Sequence, residues 1–145
     1  MAICRLIYRS QAIEDIDGDL LADIEESSAR NNSEEDVTGI LVASKRAFLQ
    51  VLEGDRANLS RVFRRIARDE RHEEIELVSF DEVSERDFQD WNMKGVGVGL
   101  MGRILGHKLK QKYGEKDGDL DLPTDKHRAF ALLHDVAFHL RGGEL

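Results

Sequence analysis

Three kinds of side chain here could do more than pack: a phenol in an apolar strand, amides in apolar surroundings, and a set of histidines. Tyr8 lies within Leu6-Ile7-Tyr8-Arg9, and Gln50 within Phe48-Leu49-Gln50-Val51-Leu52. Strand alternation puts Gln50 on one face with Phe48 and Leu52. A buried primary amide costs about 1–3 kcal/mol if its hydrogen bonds are not met. Two readings of Gln50 stay open. Either a nearby backbone group satisfies it, or it faces a bound ligand that carries both donors and acceptors. Asn31 and Asn32 stand together where the first helical pattern runs out, and stopping a helix is their ordinary role. Trp91 and Met93 ordinarily just pack. His127, His134 and His139 are spaced 7 and 5 residues apart. That spacing does not gather them on one helix face, so no metal site is expected.

Other chemistries are poorly supplied. No serine sits in a glycine-flanked nucleophile elbow, and no Gly-rich loop precedes a helix as a phosphate cradle. Arg9 and Asn31 could be enlisted as the clamps of an acylphosphatase-like hydrolase, but the loop after the first strand lacks the backbone-donor pattern. An RNA-reading sheet needs stacking aromatics in basic surroundings. Here 21 Lys and Arg stand against 29 Asp and Glu, a net charge of −8. Nucleic acids and anionic membranes are not expected partners of such a surface.

The elements must then bring Tyr8 and Gln50 together. Ile3 to Arg9 alternates as a first strand, and Leu20, Leu21, Ile24 and Ser28 mark a helix over about 17–29. Residues 37–54 read as a hairpin with its polar tip at Ser44-Lys45-Arg46. Asp55 is a plausible N-cap for a second helix with the stripe Leu59, Val62, Phe63 and Ile66. Glu74 to Phe80 is a fourth strand, and Trp91 to Val98 a fifth, weakened by its glycines. The order β-α-β-β-α-β with right-handed crossovers predicts an α+β, ferredoxin-like sandwich with a fifth strand. Tyr8, Gln50 and Trp91 or Met93 can then point towards the two helices. A planar heteroaromatic between those helices would meet a phenol, an amide and the two asparagines.

Beyond about residue 100, Met101, Ile104, Leu105, Leu109 and Tyr113 suggest a short amphipathic helix. A polar link over 114–123 precedes a last helix faced by Ala129, Phe130, Leu133, Val136, Ala137 and Leu140. These two helices are expected to cap the sheet face that carries Ile7, Leu49 and Val51. The expected division is residues 1–98 for the sandwich and 99–145 for the helical cap. The one cysteine, Cys4, and the absence of a secretory signal fit a reduced, cytoplasmic setting. No apolar run approaches the ~20 residues that span a bilayer.

Several segments carry a family resemblance. They are Leu6-Ile7-Tyr8-Arg9-Ser10-Gln11, Ser28-Ala29-Arg30-Asn31-Asn32, Val37-Thr38-Gly39-Ile40-Leu41 and Phe48-Leu49-Gln50-Val51-Leu52-Glu53-Gly54. Arg65-Ile66-Ala67-Arg68-Asp69-Glu70-Arg71-His72 and Phe88-Gln89-Asp90-Trp91-Asn92-Met93 continue the series. Over about residues 3–96 the sequence resembles the BLUF family, blue-light sensors that use a flavin. The tail looks more loosely like the two-helix cap of the short, PixD-like type. One departure is the hairpin tip, where Lys45-Arg46-Ala47 replaces the usual glycine.

The resemblance implies non-covalent FAD with its ring system between the two helices of the sandwich. Tyr8 matches the electron and proton donor to the excited flavin, and Gln50 the amide whose hydrogen bonds rearrange after light. Asn31 matches the side chain at the ring's carbonyl edge, with Asn32 beside the ring. Ile24 and Ser28 join the expected cofactor-binding set, and Arg65, Asp69 and His72 match positions along the flavin and ribityl region. Trp91 and Met93 match the pair that passes the signal on. No enzyme is implied, and no effector is expected after residue 145. The output is then a changed interaction, within a homo-oligomer or with a separate downstream protein, through strand five and the C-terminal helices. A small flavoprotein oxidoreductase and a flavinless interaction module are the competing readings.

Overall fold

The sheet is built around β1 (Ile3–Ala12) and β3 (Ala47–Asp55), whose antiparallel register sets Tyr8 opposite Gln50. In the computed structural model, which describes residues 2–100 and 102–145, a helix α1 (Gly18–Glu34) follows β1. β2 (Thr38–Ala43) precedes β3, and α2 (Arg56–Ala67) and β4 (His72–Val83) follow it. β5 (Lys94–Gly97) completes a five-stranded sheet in the order β4-β1-β3-β2-β5. Only β5 runs parallel to its neighbour, β2. This is the expected α+β, ferredoxin-like arrangement with a fifth strand. Gly39 is obligatory on β2, because a Cβ there would lie 1.9 Å from the Val51 carbonyl oxygen.

Several boundaries differ from the sequence reading. α1 does not stop at Asn31-Asn32 but runs on to Glu34. The reason is tertiary: the Asn32 amide donates to the Asn92 carbonyl at 2.9 Å instead of bonding locally. The turn comes at Asp36, with φ 53°. β4 is longer than expected, because pairing with β1 runs from Ala12↔His72 to Ile3↔Val83. β5 is shorter, and Trp91 and Met93 precede it rather than lie in it.

After a 3-10 turn at Val98–Leu100 come α3 (Arg103–Tyr113) and α4 (Lys126–Leu140). Met101, expected on the α3 stripe, lies outside the described residues. The polar link is not structureless. It holds a small hairpin of β6 (Glu115–Lys116) and β7 (Asp119–Leu120), turned at Asp117 and Gly118 with φ 54° and 81°. Two left-handed residues in an Asp-Gly pair make such a turn, so the signal was present in the sequence. No described helix is long and apolar enough to cross a membrane.

Two apolar layers flank the sheet. On the front, Leu6, Tyr8, Leu41, Phe48 and Leu52 pack with Leu21 of α1 and Leu59 and Val62 of α2. On the back, Ile7, Val42, Leu49 and Val51 pack with Leu105 and Leu109 of α3 and Leu132, Leu133 and Val136 of α4. The expected back-face cap is therefore present. Each such Leu or Val contributes about 1.5–3 kcal/mol of burial, so α4 is docked firmly.

Candidate functional site: a cleft between α1 and α2

Tyr8 and Gln50 are cross-strand partners, and both side chains rise on the front face. The Tyr8 hydroxyl donates to Gln50 Oε1 at 2.5 Å. Gln50 Nε2 in turn donates to the Met93 sulfur at 3.2 Å. All three residues are at least 95% buried. The amide is thus satisfied, but by side chains and not by backbone. Its two ends are held unequally, since a thioether is a weak acceptor and a phenol a good donor. Burial, helped by the nearby Asp69 carboxylate, pushes the Tyr8 hydroxyl well above its usual pKa, so it stays protonated.

Tyr8 and Gln50 form the floor of a cleft between α1 and α2. Ile24 and Ser28 wall it from α1, Ile66 from α2, and Leu41 and Phe48 from the sheet. Asp69, Arg71 and His72 line its far end. His72 Nε2 faces the Ile66 carbonyl at 2.7 Å, and a carbonyl can only accept, so Nε2 carries the hydrogen. Nδ1 is then paired with the Ser10 hydroxyl at 2.7 Å. Arg71 donates from its backbone and its Nε to Asp69 Oδ1, each at 2.9 Å. That bonding holds the Asp69 carboxyl below the usual carboxylate range. Apolar walls with donors and acceptors at the floor and one end suit a planar heteroaromatic, and this donor set fits a flavin ring.

Six of the residues expected at the site line this cleft: Tyr8, Ile24, Ser28, Gln50, Asp69 and His72. Met93 reaches it through Gln50. Asn31, Asn32 and Arg65 lie outside the lining. Asn31 is half-buried, Asn32 is committed to Asn92, and Arg65 is exposed on α2. Of the strand-five pair, Met93 points to the front, and Trp91 packs against the back cluster under the Arg141 guanidinium. Sequence reasoning passed over Leu41, Phe48, Ile66 and Arg71 as lining residues. Leu41 and Phe48 could have been found by alternation, since both share the Gln50 face. Among the described residues no cluster of His, Cys, Asp and Glu is placed to hold a metal ion.

A family profile described as sensors of blue-light using FAD matches residues 3–94. The chain belongs to the BLUF family. A BLUF segment of 92 residues is 33% identical to the photoactivated adenylate cyclase subunit beta of Euglena longa, covering 62% of this chain and 11% of that protein. Over 83 residues it is 34% identical to the blue light- and temperature-regulated antirepressor BluF of Escherichia coli (strain K12), covering 57% of this chain and 21% of that one. The chain thus spans about a tenth to a fifth of the length of these relatives. Among solved structures, BlrB, a BLUF protein in its dark state, superposes with a TM-score of 0.74 at 27% identity, covering 96% of this chain and 97% of that one. The photo-activated state of BlsA gives 0.76 at 28% identity, covering 92% and 93%. The match to the much longer cyclases takes in only this BLUF segment.

Proposed function

We propose that this BLUF chain is a blue-light sensor that holds FAD non-covalently in the cleft between α1 and α2 and answers light with a changed protein–protein contact. The observation that carries this reading is the buried row Tyr8–Gln50–Met93, whose first two members floor the cleft. Ile24, Ser28, Asp69 and His72 would wall the cofactor. Asn31, Asn32 and Arg65 would reach it only by side-chain movement, since none lines the cleft as it stands.

When bound, the flavin supplies a light-activated oxidant. Tyr8 is the donor this site offers, with its proton kept on the phenol by burial. Gln50 Oε1 holds that hydroxyl in one orientation. Once the phenol has given up an electron, its proton would leave by way of Gln50 Oε1, the acceptor it already faces, and that loss removes the stronger of the two Gln50 partners. The amide is then held only by the sulfur of Met93 and can turn or tautomerise. A turned amide offers Met93 an oxygen in place of an N–H, which weakens the contact and moves the thioether. In this scheme residues 1–98 hold the photoactive site and residues 99–145 cap the sheet and carry the output, to a second copy or to a separate protein.

One absorption spectrum taken before and after blue light tests the reading. The purified protein should be yellow, release FAD on denaturation and undergo a reversible red shift. A colourless protein that takes up no added FAD would overturn it. Reduction by NADH in the dark would favour the oxidoreductase instead.

A further inference from the structure

The segment 87–93 connects the Gln50 contact to the far side of the sheet, and it is tied at both ends. At its start, the fully buried Glu53 carboxylate accepts from the backbone N–H groups of Asp87 at 3.0 Å and Phe88 at 2.7 Å. At its end, the sulfur of Met93 receives the Gln50 amide. Between them, the Trp91 carbonyl accepts from Gly39 N–H of β2 at 2.9 Å. A segment held this way has little slack, so a displacement at Met93 is passed along rather than absorbed.

What receives it is Arg141, the residue that caps the C-terminal end of α4. Its Nη2 donates to the Asp87 carbonyl at 2.7 Å, and its Nε to Asp90 Oδ2 at 2.5 Å. Its guanidinium also lies 5.3 Å from the centre of the Trp91 ring. All three contacts go to this one segment. A cation at a helix C-terminus is favourable in itself, and that alone would make Arg141 a cap and nothing more. A plain cap needs none of these three contacts.

We infer that Arg141 is the positioning residue that couples α4 to the segment 87–93, so that a change in what Gln50 offers Met93 loosens or tightens the C-terminal turns of that helix. This rests on the proposed rearrangement of Gln50 under blue light. Lysine at this position would keep the charge but could not reach the carbonyl, the carboxylate and the indole at once.

The test compares the full chain carrying FAD with Arg141→Ala and Asp90→Asn, in the dark and under blue light. Two quantities are read: the flavin red shift, and hydrogen exchange of the α4 amides over 134–140. In the wild type, exchange there should differ by about fivefold or more between dark and light. Both variants should keep the red shift; Arg141→Ala should lose most of that difference, and Asp90→Asn, which removes the charge but leaves the Asp87 and Trp91 contacts, a measurable part of it. Asp90 is a surface residue, so Asp90→Asn leaves the fold intact should Arg141→Ala not fold. A residue acting only as a cap would raise exchange equally in dark and light and leave the difference in place, and that result overturns the inference. So does a wild type that shifts to the red with no change at 134–140. A wild type with no red shift at all overturns the functional reading first.

Discussion

Gln50 is where residue-scale chemistry and the sheet meet. Its amide is sandwiched between a good donor, Tyr8, and a weak acceptor, Met93. Gln50→Leu keeps the volume and removes both contacts. The variant should still bind FAD but lose the light-induced red shift. Difference spectroscopy checks this, and a mutant with the wild-type shift would show that Gln50 is not the switching group. Tyr8 gives a second, pH-based prediction. Its pKa is raised in the folded protein above the ordinary value of 10.0. Above about that pH, the unfolded chain loses the phenol proton while the folded one keeps it. Stability attached to Tyr8 is therefore complete below pH ~10 and falls as pH rises beyond it. Alkaline denaturation midpoints should fall less steeply with pH in Tyr8→Phe than in the wild type. Equal slopes would rule out Tyr8 as the linked group.

Among the elements, β3 carries the most consequence, because its two faces serve different layers. Gln50 faces the cleft, while Leu49, Val51 and Glu53 face the back. Glu53 is fully buried, and its carboxylate binds Arg5 Nε at 2.9 Å as well as the two N–H groups of the 87–88 loop. Arg5 also pairs with Asp87 and lies 4.6 Å from the centre of the Phe130 ring on α4. Removing one partner of a buried pair is costly chiefly because the other is left uncompensated. Glu53→Ala should cost about 3 kcal/mol in denaturant unfolding, at the lower end for such losses because Arg5 retains Asp87. A loss under about 1 kcal/mol would mean the pair behaves like an exposed one.

At the scale of the whole molecule, α4 closes the back of the sheet with Ala129, Leu132, Leu133, Val136 and Ala137, all fully buried. Deleting residues 123–145 should uncover Ile7, Val42, Leu49 and Val51 as one apolar patch, too large for a soluble surface. The truncated chain should aggregate or lose most of its stability, as size-exclusion and thermal unfolding would read. A soluble monomer with the wild-type midpoint would mean that the cap contributes no core. Much of the architecture was determined by the sequence alone. The order of elements, the ferredoxin-like class, the front-facing pair Tyr8 and Gln50 and the capping of Leu49 and Val51 all follow from periods of 2 and 3.6, which are local properties. Other features depended on which distant groups met. Asn31-Asn32 reads as a helix stop, yet the carbonyl of Asn92, sixty residues on, satisfies Asn32 and lets α1 continue. Trp91 and Met93 read as equivalent, and only the path of the chain into β5 sends the sulfur to Gln50 and the indole beneath Arg141. Hydrogen bonds and side-chain packing between residues far apart in sequence leave no periodic trace, so only the assembled tertiary structure could decide them.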